Sequence, residues 1–227
     1  MFKKIFTGLL ILAFLVVLAI WSPWEQWNIS IFKIIGVDTS EEFASLKVKA
    51  LEGEVDVYID NELKGSAAAV DADFAEITPI SKGEHTVTLK RKSASAKYYE
   101  LTRKINFEPG IDVVIAYDLG PSEYFSEGHI LYARKNFTNE NNPRLNVASV
   151  PEGVAVSIDG VAVGTAPLKD IQLDLNGQHK VKFTKTGYEP LEITILPEKQ
   201  DGRDKLKGLT LTLEVTLFAQ PIKVNNL

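Results

Sequence analysis

The chain has 227 residues, 45% of them hydrophobic and 24% charged, the make-up of folded protein with room for one large or two small domains. A formal net charge of −5 argues against a nucleic-acid partner, because phosphate binding is driven by clustered Lys and Arg. The absence of cysteine removes disulfides, thiolate metal sites, cysteine nucleophiles and an acylated lipoprotein anchor.

In chain order the first element is hydrophobic. Ile5 to Ile20 carries no charge. As a helix this stretch rises roughly 24 Å, at the short end of what crosses a hydrocarbon core of roughly 30 Å. Phe2 and Trp21 extend it, and Lys3 and Lys4 can snorkel. Trp21, Trp24 and Trp27 follow, as in an interfacial aromatic belt. A cleaved leader shares the basic start and apolar core, but Leu18-Ala19-Ile20-Trp21-Ser22-Pro23 offers a poor cleavage site. The expectation is an uncleaved single-pass transmembrane helix within 1–21, with Lys3 and Lys4 keeping the N-terminus cytoplasmic and the body outside.

Residues 22–45 read as a juxtamembrane linker, in which Thr39 or Ser40 caps a short helix running through Phe43 and Leu46. From Leu46 the period changes to two. Leu46, Val48 and Ala50 alternate with lysines, and Val55, Val57 and Ile59 alternate with Asp56, Tyr58 and Asp60. The dipeptide Asp60-Asn61 then marks a hairpin turn. This first module spans 46–120. A connector, 121–144, holds a short helix between Ser122 and Arg134, weakened by Gly128, and a loop around Thr138 to Pro143.

The second module, 145–227, repeats the first. Leu145 and Val147 stand 99 residues after Leu46 and Val48, as do Val154, Val156 and Ile158 after Val55, Val57 and Ile59. Asp159-Gly160 falls on Asp60-Asn61, and Gly164 on Gly65. By His85 and His179 the spacing is 94, so the first module carries five extra residues between Gly65 and Gly83. Ile111–Leu119 corresponds to Leu209–Leu217. One internal duplication accounts for this order of matches.

Residues 145–217 resemble a PEGA domain, an envelope module of bacteria and archaea. The matching residues are Pro151, Glu152 and Gly153; Ile158, Asp159 and Gly160; Gly164, Thr165, Ala166 and Pro167; Gly177, Gln178 and His179; and Gly187 with Tyr188. Val154 stands where the motif has alanine. The first module, 46–119, resembles the family more distantly. It reads Leu51-Glu52-Gly53-Glu54 without the proline and has Tyr98-Tyr99 where Gly-Tyr is usual. The resemblance implies a small antiparallel β-sandwich of the transthyretin-like type, an envelope location and no known enzymatic activity. The fold expected is therefore mainly β: a transmembrane helix followed by two tandem small antiparallel sandwiches.

His85 and His179 are repeat-equivalent, yet no partner ligand accompanies them in both copies, so packing on the sandwich and hydrogen-bonding a turn is the expected role. Asp60 and Asp159 read as turn residues ahead of paired carboxylates for a cation or sugar. His129, alone in the connector, reads as solvated. Asp71, Asp73 and Glu76 lie in the five-residue expansion. They resemble the start of a calcium loop, but the required glycine and spaced terminal glutamate are absent. With Tyr98 and Tyr99 they form the candidate ligand-binding surface; Tyr58, Tyr124, Phe125, Tyr132 and Tyr188 are further aromatics that stack on sugar or cover a core edge. No phosphate loop, nucleophile elbow or zinc motif occurs, so no catalytic residue, metal or cofactor is expected. The function expected is binding: attachment of the membrane to cell-wall or surface-layer polysaccharide, or alternatively a scaffold for another membrane or surface protein through an exposed strand edge.

Overall fold

Alternating apolar and polar residues dictate strands, and strands dominate the computed structural model of the protein, which describes residues 43–71, 73–93, 97–135 and 141–220. Strand β1 (Ala44–Ala50) aims Leu46, Val48 and Ala50 into a core, each fully buried. It starts where a helix was expected to continue, because the side chains from Ala44 onward alternate into that core and pair with two neighbouring strands. The first half continues with β2 (Glu54–Ile59), β3 (Glu62–Ala68), β4 (Ala75–Ile80), β5 (Gly83–Arg91), β6 (Leu101–Phe107) and β7 (Asp112–Asp118). After β8 (Glu127–Lys135), the second half holds β9 (Arg144–Val150), β10 (Ala155–Ile158), β11 (Val161–Thr165), β12 (Leu168–Gln172), β13 (His179–Thr184), β14 (Leu191–Ile195) and β15 (Leu209–Thr216). A short helix, α1 (Gln200–Asp204), precedes β15.

Three sheets result. Two have four strands, β3-β2-β5-β6 and β11-β10-β13-β14; the third has seven, in the order β12-β9-β15-β8-β7-β1-β4. The large sheet reads the same way outward from β8 on both sides. In each half the strand next to β8 runs antiparallel to it, and the next strand out is parallel to that one. The structure is mainly β as expected, and two features go beyond the expected two tandem small antiparallel sandwiches. The pairs β1–β7 and β9–β15 are parallel, and both sandwiches are completed by one continuous sheet.

The connector explains the continuity. Among its described residues the helical part is a 3₁₀ turn at Glu123–Phe125, followed closely by the nine-residue β8. Successive side chains of a strand point to opposite faces. Ile130 and Tyr132 join the core under β3-β2-β5-β6, while Leu131 and Ala133 join the core under β11-β10-β13-β14. The two small sheets therefore pack on opposite faces of the large one, and β8 lies along an approximate twofold axis between the halves. Among the described residues both cores are built from residues between 44 and 217, within the compact unit that runs from 40 to 227.

Among the described residues no helix is long and apolar enough to cross a membrane. The expected anchor, with Lys3, Lys4, Trp21, Trp24 and Trp27, lies outside the described residues.

Candidate functional site

The same turn recurs in both halves. Hairpins β2–β3 and β10–β11 each close through two residues at positive φ, Asp60-Asn61 and Asp159-Gly160, the conformation that two-residue hairpin turns demand. Both hairpins also bulge at the same place, between Val57 and Tyr58 and between Val156 and Ser157.

Each turn aspartate holds the histidine near the start of the neighbouring strand of its sheet, His85 in β5 and His179 in β13. In the second half, His179 Nδ1 donates to Asp159 Oδ2 at 2.6 Å, and the Lys180 backbone N–H donates to Asp159 Oδ1 at 2.9 Å. In the first half, His85 Nδ1 donates to Asp60 Oδ2 at 2.6 Å, and Thr86 N–H to Asp60 Oδ1 at 2.9 Å. The histidines do have a shared partner, contrary to expectation: the repeat-equivalent aspartates supply it. His85 further sets its ring edge-on against Phe107, with centroids 5.6 Å apart.

The His179 ring, only 7% exposed as a residue, meets an acceptor at both nitrogens: Nε2 donates to the Asp174 carbonyl at 3.0 Å, with the Asp174 carboxylate 3.9 Å away. Both nitrogens therefore carry protons. Burial of the ring opposes this charge, but the Asp159 hydrogen bond and the Asp174 carbonyl outweigh it and hold the pKa above its ordinary value. Asp159 is correspondingly held low, first by its bond from His179 and then by the Lys180 amide. Asp60 is lowered in the same way by His85 and the Thr86 amide.

In the first half Ser81 Oγ lies 3.1 Å from His85 Nε2, so Ser81, His85 and Asp60 stand in the order of a nucleophile, a base and an orienting acid. The order alone does not make the chemistry. Nε2 faces Ser81's own carbonyl at 3.0 Å and is engaged there as a donor, whereas a general base must offer a lone pair. At the matching place in the second half stands the Asp174 carbonyl. What the two constellations share is the fastening of a hairpin turn to the neighbouring strand.

The Pro-Glu-Gly turn does similar work. Gly153, at φ +75°, brings two carbonyls toward one cation: Lys185 Nζ donates to Glu152 O at 2.8 Å and to Gly153 O at 3.3 Å. Arg91 occupies the equivalent place beside Gly53 and also pairs with Asp118 at 3.0 Å. Thus Pro151, Glu152, Gly153, Asp159, Gly160, Gly164 and His179 lie in and around the small sheet β11-β10-β13-β14, while Tyr188 bridges to Ala219 past Gly187.

Within the expected binding surface the two tyrosines are engaged by neighbours and the acids are open to solvent. Tyr99 packs against the first core and donates its hydroxyl to Glu123 at 3.1 Å, with burial the main cause of its raised pKa. Tyr98 lies beneath the Arg91 guanidinium, 4.6 Å from its ring centre. Asp71, Asp73 and Glu76 are exposed, and among the described residues no group of three or more acids or histidines is placed to hold a metal. Phe74, between Asp73 and Glu76, is 40% exposed, and the two most exposed aromatics among the described residues lie elsewhere: Tyr124 at 60% and Phe125 at 42%, the latter edge-on to Phe218 at 6.0 Å.

Two features escape the sequence. A polar seam crosses the first half's face of the large sheet: Arg103 reaches Glu214 at 3.3 Å and Glu123 at 3.4 Å, Tyr132 donates to Glu214 at 3.0 Å, and Tyr117 donates to Thr216 at 2.5 Å. Burial pushes Tyr117 and Tyr132 up to about 12, so both hydroxyls keep their protons. The second is Arg203 on α1, which is buried and donates to the carbonyls of Leu175, Pro197 and Glu198, tying the 196–206 segment to the body. Neither network has a recognisable motif; the seam joins distant residues, and Arg203 adds the distant Leu175 carbonyl to its near neighbours Pro197 and Glu198.

A PEGA domain is found at residues 142–207. No curated protein matches the chain.

Proposed function

We propose that this is a non-catalytic envelope protein, held in the membrane by Ile5–Ile20, whose extracytoplasmic body binds cell-wall or surface-layer polysaccharide. The observation that carries the reading is the PEGA domain at 142–207, a module of the cell envelope. We take residues 46–120 as a second, divergent copy. The mirrored strand order about β8 and the paired Asp60–His85 and Asp159–His179 contacts support that view. The anchor reading rests on the uncharged apolar run, the flanking Lys3 and Lys4, and Trp21, Trp24 and Trp27.

Glycan recognition favours exposed aromatic faces, and Tyr124 with Phe125 offers the most open pair among the described residues. The test is co-sedimentation of residues 40–227 with protein-stripped envelope polysaccharide. Retention that drops in Tyr124→Ala supports the reading. No retention of a body shown folded by circular dichroism overturns it and directs attention to a protein partner on the sheet edges, found by crosslinking.

A further inference from the structure

We propose that a groove on the second half's face of the large sheet is a binding site for a single-chain amphiphile with an anionic head group, independent of any polysaccharide bound elsewhere. The groove encloses about 440 Å³, within the range of roughly 300–1,000 Å³ usual for small-ligand sites. Its floor is the outward face of β7 and β8, and its roof is the end of β14 with the 196–206 segment.

The lining is chiefly apolar. Val114 and Leu131 form the floor, with Ile193 and Leu206 opposite. Such a surface left to water loses the stabilisation that an acyl chain would restore. Set into the floor is His129, which was expected to be solvated. It sits on β8 on the same face as Leu131 and Ala133, and no partner for its ring is found among the described residues. Burial alone drops its pKa to about 4, so the ring is neutral at physiological pH and offers one donor and one acceptor.

The rim supplies the sign of the head group. Lys47, Lys205 and Asp112 are the charged residues that line the groove. Lys47 is taken up by Asp112 at 2.5 Å, while Lys205 is exposed and has no acidic partner among the described residues. The rim thus keeps one uncompensated ammonium.

The groove is not a by-product of the architecture. By the register of β5–β6 against β13–β14, Ile193 stands where the first half has Arg103, since Val87 pairs with Arg103 and Val181 with Ile193. On that side Arg103 fills the space and leaves a cavity of only about 60 Å³, walled partly by Glu214 and Thr216. One half has a polar plug; the other has an apolar wall and open volume.

The probe is dodecanoate below its micelle concentration, titrated calorimetrically into residues 40–227, with dodecylammonium as the opposite-charge control. The expected result is saturable binding of dodecanoate at one per chain, weakened about tenfold when Val114→Phe fills the floor. Lys205→Glu, on an exposed side chain, weakens dodecanoate about fivefold and favours dodecylammonium. Absence of saturable binding to the folded wild-type body overturns the proposal. So does binding that ignores both substitutions, or equal binding of the two probes.

Discussion

Replacing Asp159 by Asn keeps the shape of the side chain and removes its charge, which isolates the electrostatic part of its bond to His179. Asp159 accepts from His179 at 2.6 Å and from the Lys180 amide at 2.9 Å. A hydrogen bond to a charged group contributes about 1.5–3 kcal/mol. The carboxylate is half exposed, so solvent screening lowers the expected cost of Asp159→Asn to about 1–2 kcal/mol. The sign of the pH dependence follows from both partners. His179 is raised above its ordinary 6.5, so its contribution is whole below that pH and is lost as pH climbs through the folded value. Asp159 is lowered below its ordinary 3.8, so its contribution is whole above that pH and is lost as pH falls through the folded value. The cost of Asp159→Asn is therefore greatest near pH 5.5 and shrinks by pH 9. Urea unfolding of residues 40–227 at both pH values measures it, and imidazole nitrogen shifts report the protons on His179 directly. An equal cost at both pH values, or a His179 that titrates below 6.5, would refute the reasoning.

The matched stretch 142–207 omits both β15 and β8, so as an isolated fragment it should give a disordered circular dichroism spectrum, whereas 127–220 should show strand signal and a cooperative melt. Ile130, 1% exposed in the first core, sits on the strand both halves use. Ile130→Ala should cost about 2–5 kcal/mol, and amide exchange should show protection falling in β15 as well as in β7.

Much of the small-sheet architecture was legible because those strands have one wet face. Val55, Val57 and Ile59 alternate with polar neighbours, and the copy 99 residues later repeats the alternation. The central strand was illegible for the opposite reason. Ile130, Leu131, Tyr132 and Ala133 form an apolar run, because each face of β8 has its own core. A strand covered on both sides loses its period of two and reads equally well as a helix. The aspartate–histidine pairs were hidden by spacing: 25 residues separate the partners in one half and 20 in the other, so no common offset exists to be found. Arg203 binds backbone carbonyls, which leave no trace in residue identity.

The direction of the strands has a mechanical consequence. Since β1 is parallel to β7, β9 is parallel to β15, and β8 opposes both β7 and β15, the strand that begins the body and the strand that ends it point the same way. A pull between residue 43 and residue 220 thus loads β1 and β15 from opposite ends of one sheet. Ladder bonds lie across the strands, so such a load shears many of them at once instead of unzipping them singly. A body stretched between two attachments would yield late and abruptly, with β8 carrying tension from one half to the other.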